Sequence, residues 1–333
     1  MSDALLVVIF VLAAGVSLAT SWVLVTRLER VGARIGLSEA LLGMLAALAA
    51  DAPEITAAVS ALAGHHAQIG AGVVIGSNVF NLAALLGLAS VVQGRIALHR
   101  RVIAFEGTVA MLLAVICLAV VVGGPGPGIG LLAAAVVIVP YLLISSLSPA
   151  RLRRLDLPAA WTRWLGDAVD EEEAELEIAI HPQPGAAIDV VIAAIAVAVV
   201  IGASIAMEQT GSTLGDRHGV PQIVIGGLIL AGVTSLPNAV AALYLAARGR
   251  GAATLSVALN SNALNVTAGL LVPGVIVGLG PPSGGSTLIA AWYLGLTALS
   301  LAFAYAARGL RRAHGTVIIL AYLAFVAAVL ATS

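Results

Sequence analysis

Ten apolar runs, separated by short polar or glycine- and proline-rich breaks, fill most of this chain. They cover residues 4–25, 37–63, 70–92, 102–122, 129–147, 187–207, 222–247, 254–279, 287–307 and 316–331. A transmembrane helix takes about 20 mostly apolar residues, and only the last run falls clearly short of that. The pattern predicts an all-α membrane protein with ten transmembrane helices.

Composition agrees. The chain has 333 residues, of which 60% are hydrophobic and 10% charged, against about 25% charged in a soluble domain. A net charge of −1 gives no reason to expect a nucleic-acid partner. The single cysteine, Cys117, lies in an apolar run and has no partner for an internal disulfide. Met1–Asp3 lacks a basic segment, so no cleavable signal peptide is expected.

Arginine placement tests the span map. Arg27, Arg30 and Arg34 follow run one; Arg95, Arg100 and Arg101 follow run three; Arg151, Arg153, Arg154 and Arg163 follow run five. Arg248 and Arg250 follow run seven, and Arg308, Arg311 and Arg312 follow run nine, leaving Arg217 alone on the other side. By the positive-inside rule these alternate loops are cytoplasmic and both termini face out. The expected location is a bacterial plasma membrane.

The polar positions inside the runs repeat. Gly43, Asp51-Ala52-Pro53-Glu54 and Gly76-Ser77-Asn78-Val79-Phe80-Asn81 are matched by Gly227, Thr234-Ser235-Leu236-Pro237-Asn238 and Asn260-Ser261-Asn262-Ala263-Leu264-Asn265. Every matched position keeps one constant offset, that of Pro237 from Pro53. Such an offset means duplication without internal insertion. With five spans in each copy, the second enters the membrane from the opposite side, so the expected repeats are inverted. The division is 1–148 for the first half, 149–185 for a cytoplasmic linker loop, and 186–333 for the second half. The linker carries Asp167, Asp170, Glu171, Glu172, Glu173, Glu175 and Glu177, which reads as a solvated acidic segment.

Polar groups in a bilayer are costly, so a duplicated set reads as an ion or substrate site. Asp51 and Glu54 are i, i+3 neighbours on one helix face. Each buried charge costs roughly 2.5–3.5 kcal/mol on insertion scales. Pro53 and Pro237 each remove a helix hydrogen bond, which frees the carbonyls of Ala49 and Val233 and predicts broken helices. Ser77 and Asn81 share a face at i, i+4, as do Ser261 and Asn265, while Asn78 and Asn262 are expected to bond the loosened backbone of the broken helices. These are oxygen donors of the kind hard cations take, six to eight for calcium. Without a Cys/His cluster, a zinc or copper site has little support.

Other polar groups read as structural. Glu39 suits a helix start. Glu106, near Arg100 and Arg101, reads as an interfacial ion pair. Asp189 and Glu208, at the ends of run six, read as interfacial, and His65 and His66 as wet loop residues. The segment 123–128 reads as a tight turn, and Trp161 and Trp164 as interfacial anchors.

At these motifs the sequence resembles the calcium/cation antiporter superfamily, which includes the sodium/calcium exchangers. Members carry two inverted repeats, each with a G-T-S-x-P-E-like helix followed by a G-S-N-x-x-N helix. The resemblance implies that Glu54, Ser77 and Asn81 bind the transported ion with Thr234, Ser235, Ser261 and Asn265. This sequence departs from the pattern in three places. Ala50-Asp51 replaces Thr-Ser, Asn238 replaces the second glutamate, and Asn260 replaces the glycine of G-S-N. One acid has in effect moved from the second repeat to the first, so the candidate metal ligands are Asp51, Glu54, Ser77, Asn81, Thr234, Ser235, Asn238, Ser261 and Asn265.

The resulting expectation is a secondary antiporter that exchanges Ca2+ for H+ or Na+ by alternating access. A monovalent Na+/H+ antiporter is the alternative, and a passive channel fits less well. No nucleophile–base arrangement or cofactor loop points to an enzyme, and no resident cofactor or obligate protein partner is implied; the partners are inorganic cations and the bilayer. A site carrying −2 is neutralised by one Ca2+, two H+ or two Na+, whereas a third Na+ leaves excess positive charge in a low dielectric. That balance favours proton involvement.

Overall fold

The structure is a computed structural model that describes residues 1–36, 39–146, 164–167, 185–247 and 251–333. Of the 149–185 linker, only residues 164–167 and 185 fall in that set, so Asp167 is its one described acid and Arg151, Arg153, Arg154 and Arg163 lie outside. Trp161, Arg248 and Arg250 lie outside it, as do the side chains of residues 39–44, which include Glu39 and Gly43.

In the first half, α1 (Asp3–Arg34) is followed by α2 (Glu39–Ala50), α3 (Ala52–Ala63) and α4 (Ala67–Asn81). A π-helical stretch, Leu82–Leu88, joins α4 to α5 (Ala89–Gln93); β1 (Arg95–Ala97), α6 (Arg100–Val121) and α7 (Pro127–Ser146) complete it. The second half opens with α8 (Ala187–His218). After it, α9 (Gln222–Val224), a π stretch (Ile225–Leu230) and α10 (Ala231–Thr234) run into α11 (Leu236–Ala247). Then come α12 (Gly251–Leu264), a third π stretch (Asn265–Leu271), α13 (Val272–Val277), α14 (Gly284–Ala307), β2 (Gly309–Arg311) and α15 (Arg312–Thr332). The helix starts keep the motif offset in four pairs: α1 and α8, α3 and α11, α4 and α12, α6 and α14.

Among the described residues, eight helical segments are long and apolar enough to cross a membrane without a sharp break. A ninth candidate is the pair Gln222–Thr234 and Leu236–Leu243, bent by 42°. Helix α3 is apolar but shorter, because its run is interrupted at Asp51. Both interruptions sit two residues before a proline, where the ring opposes the helical carbonyl and restricts the preceding residue. Large apolar side chains such as Val8, Leu12, Leu132, Val136, Leu320 and Leu323 are exposed on the outer helices, as lipid contact requires.

Contacts link the arginine-rich loops on one face. Strand β1 pairs antiparallel with β2, setting Arg95 opposite Arg311. Arg101 pairs with Asp167 at 2.8 Å. Arg27 pairs with Asp189 at 2.6 Å, and the Gly185 amide donates to the Arg30 carbonyl. On the opposite face Arg217 pairs with Asp3, and Gly123, with φ of +80°, packs near Pro282. Helices α1 and α8 therefore run antiparallel. Each is 32 residues long and extends past the expected span to bring its end charges to the surface.

At the centre, α4 crosses the π stretch of the second half glycine against glycine. A Cβ on Gly76 would stand 2.2 Å from the Gly227 carbonyl oxygen, and one on Gly226 would stand 2.3 Å from that of Ile69. Only glycine permits so close a backbone approach.

Candidate functional site

Both proline breaks open into this crossing. Pro53 has no N–H to give the Ala49 carbonyl, which instead accepts a 3.1 Å hydrogen bond from the Ser21 hydroxyl of α1. In the other half, the Thr234 hydroxyl bonds the Leu230 carbonyl at 3.0 Å, and both Thr234 and Ser77 reach the Ala231 carbonyl, at 3.4 and 3.5 Å. Hydroxyls of Ser21, Ser77 and Thr234 thus bond carbonyls beside both breaks.

All nine candidate ligands are buried, none more than 1% exposed. Asp51 Oδ1 accepts from Asn238 Nδ2 at 2.7 Å and from Ser261 Oγ at 2.6 Å. Asn238 Nδ2 also reaches Ser261 Oγ at 3.2 Å, and Asn81 Nδ2 donates to the same oxygen at 3.1 Å. Asn81 donates in addition to Asn262 Oδ1, and Asn265 to Asn78 Oδ1, both at 3.1 Å. Asp51, Asn81, Asn238, Ser261 and Asn265 are therefore one network spanning both halves. Ser77 and Thr234 meet through the Ala231 carbonyl. Glu54 and Ser235 are buried side by side at the two breaks, within reach of each other, though their side-chain oxygens make no hydrogen bond of normal geometry.

The asparagines at 78 and 262 require a correction. They do not bond the broken helices. Asn78 Nδ2 donates to the Asn262 carbonyl at 3.1 Å, and Asn262 Nδ2 to the Asn78 carbonyl at 3.2 Å. This reciprocal clasp ties α4 to α12. The π-helical winding that follows Asn81 and begins at Asn265 disturbs the regular carbonyl pattern here.

Six oxygens of the candidate residues are buried and without a partner: Asp51 Oδ2, both Glu54 oxygens, Asn81 Oδ1, Ser235 Oγ and Asn265 Oδ1. Leaving a buried polar atom unmatched costs about 1–3 kcal/mol, and more for a charged one. Among the described residues, no arginine or histidine bonds either acid. The donors are carboxylate, amide and hydroxyl oxygens, the set a hard cation takes, and protons on the two acids could also offset their charge.

Two further readings change. Glu106 is buried at 2% exposure and accepts a hydrogen bond from Ser256 of α12, instead of sitting at the interface. Arg100 stacks over the Tyr305 ring, and Arg101 turns to Asp167. Glu208 is also buried, at 2% exposure, with Ser60 as donor. Both acids face neighbouring helices, which apolar periodicity along their own helices could not indicate. Asp189 caps α8 and pairs with Arg27, and Trp164 packs edge-on against Phe105. His65 is exposed, while His66 is half-buried. Cys117 is fully buried in the core.

A family model described as sodium/calcium exchanger protein matches residues 5–148 and 188–331, leaving out the linker. Among solved structures, the H+/Ca2+ exchanger CAX superposes with a TM-score of 0.69 at 14% identity, covering 98% of this chain and 86% of that one. Native YfkE gives 0.65 at 16% identity, with 96% and 91% covered. The sodium-calcium exchanger NCX_Mj, soaked with 2.5 mM Na+ and 0.1 mM Sr2+, gives 0.63 at 20% identity, with 98% and 99% covered. At these identities the likeness is one of fold. Comparison with curated protein sequences finds no match.

Proposed function

This chain belongs to the sodium/calcium exchanger protein family, a family of secondary transporters embedded in the membrane, and we propose that it exchanges Ca2+ for protons by alternating access. Two inverted five-helix halves, 1–148 and 186–333, form the transporter, joined by the 149–185 loop on the cytoplasmic side. The broken helices α2–α3 and α9–α11 count as one span each, giving ten spans with both termini outside. Antiparallel packing of α1 on α8, the constant offset between helix starts and the joined arginine loops support this arrangement.

The observation that carries the ion assignment is the set of six unmatched buried oxygens beside two acids. Asp51, Glu54, Ser77, Asn81, Thr234, Ser235, Asn238, Ser261 and Asn265 hold the transported cation. Glu54, which stands outside the hydrogen-bonded network that holds Asp51, is the ligand that alternates between cation and proton. Asp51, held by Asn238 and Ser261, is the fixed ligand. One Ca2+ or two H+ leaves the site neutral, so exchange moves little net charge across the bilayer.

The test is ion flux in proteoliposomes, varying one gradient at a time. A pH gradient without Na+ should drive Ca2+ uptake, with little response to membrane potential. Uptake should fall as pH is lowered on the Ca2+ side, because protons then compete for the same carboxylates. Calcium flux that strictly requires Na+ and follows voltage would overturn the proton coupling and leave the site intact. Na+/H+ exchange that ignores Ca2+ would overturn the cargo.

A further inference from the structure

A second polar cluster lies between α3, the α3–α4 turn and α8, toward the face that carries Asp3 and Arg217. Glu208 Oε2 accepts from Ser60 Oγ at 2.8 Å. Its other oxygen, Oε1, is buried and faces the His66 ring, 3.6 Å from Nδ1, within ion-pair reach but too far for a hydrogen bond of normal geometry. His66 Nδ1 lies 3.3 Å from Ser212 Oγ, and Ser212 is one turn from Glu208 on the same helix face. The Glu208 side chain is 3% exposed, whereas that of His66 is 36% exposed, so the cluster leads from the surface to a buried acid.

Among the described residues, no arginine satisfies Glu208. Helix α1, which lies along α8, has no ionisable side chain between Asp3 and Arg27, and those two pair with Arg217 and Asp189. The ionisable residue on α3 is Glu54, six positions from Ser60, and α4 and the π stretch 225–230 supply none.

We propose that Glu208 Oε1, His66 Nδ1 and Ser212 Oγ form a second metal site, separate from the central one, for a divalent ion of the zinc class. Ligand atoms about 2.0–2.2 Å from a tetrahedral ion stand roughly 3.3–3.6 Å apart, and the two measured separations, 3.6 and 3.3 Å, fall in that range. A mixed imidazole–carboxylate set suits zinc and similar first-row ions better than calcium. Among the described residues no three His, Cys, Asp or Glu side chains gather at one point, so the site has two strong donors and is completed by a hydroxyl and water. His66 and Glu208 belong to different halves of the chain, which is why no sequence spacing marks them. An ion bound there ties α8 to the α3–α4 turn.

The experiment is calorimetric titration of Zn2+ into the purified full chain, free of any histidine tag, in calcium-containing buffer. The proposal does not depend on transport, so a failed flux assay leaves it standing. One saturable site is expected, weakened at least tenfold by Glu208→Gln and by His66→Ala. His218→Ala, which alters the exposed histidine beside Asp3, and Glu54→Gln, in the central site, should bind as the parent does. X-ray absorption on the zinc-loaded parent should show one imidazole nitrogen among oxygen neighbours, a readout that needs no variant to fold. The proposal is overturned if the parent shows no saturable site, if Glu208→Gln and His66→Ala bind like the parent, if Glu54→Gln alone loses the ion, or if the absorption spectrum lacks the imidazole.

Discussion

The two halves share helix starts and motif positions but divide the central chemistry unequally. In the first half, α3 begins beside two buried acids and α4 is lined with glycine where it meets the other half. In the second half, the matching helix α11 carries Asn238, which donates its amide to the first half's Asp51. Where α4 has Gly76, α12 has Asn260, half-buried and accepting a 2.9 Å hydrogen bond from Tyr141. The first half therefore supplies both central charges, whereas the close backbone contact and the neutral donors come from both halves. The difference teaches that a duplicated frame can hold an unsymmetrical site, because the frame rests on helix packing while the charge rests on two or three side chains.

The largest test of this division is Glu54→Gln. It keeps the shape and removes a charge that no arginine or histidine among the described residues offsets. Removing one partner of a buried charge pair costs roughly 3–5 kcal/mol, so Ca2+ binding should weaken about 100-fold or more, and flux should fall to background in folded protein. Parent-like transport by Glu54→Gln would reduce that acid to a structural role.

Gly76→Ala comes next and probes the packing side of the contrast. Its Cβ would meet the Gly227 backbone on a helix that cannot yield as a flexible side chain would. Overpacking a well-filled site costs about 1–3 kcal/mol, and backbone contact puts this case at the upper end. The thermal unfolding midpoint of the detergent-solubilised protein should drop by several degrees; an unchanged midpoint would contradict the glycine crossing.

A third experiment moves the charge. Asp51→Ser should abolish exchange by leaving a single central acid. Adding Asn238→Glu should restore part of it, because residues 51 and 238 already touch across the halves. Full activity in Asp51→Ser alone would falsify the idea that the acid has changed repeats.

The smallest effect belongs to Asn260→Gly, which makes the second half match the first. It removes one side-chain hydrogen bond, worth about 1 kcal/mol, and should shift the unfolding midpoint slightly while leaving cation binding unchanged. Loss of binding would mean that Tyr141 and Asn260 belong to the site.

Much of the frame is legible without any tertiary contact. Span placement follows from a local demand: each stretch in hydrocarbon must satisfy its own backbone and expose apolar side chains. The arginine alternation and the constant offset between the motif copies add long-range order that counting alone recovers. The breaks at Asp51 and Ser235 follow from the prolines two residues on, since that constraint is also local. Burial cost likewise gathers the polar residues that lie deep in apolar runs.

Which buried group meets which was decided only by the fold. The chain pattern shows that Asn78, Asn262, Glu106 and Glu208 must find partners, but a helix offers a polar side chain several neighbours. Packing alone placed Asn78 on the Asn262 carbonyl, Ser256 on Glu106, and Ser60 with His66 around Glu208. The sequence by itself determined that the chain is a helical membrane protein, where most of its apolar segments lie and that a polar motif recurs in them, because apolar runs and a constant offset are properties of the chain alone. The tertiary structure decided the hydrogen-bond pairing and the unmatched oxygens, because those depend on the distance and angle between helices far apart in the chain.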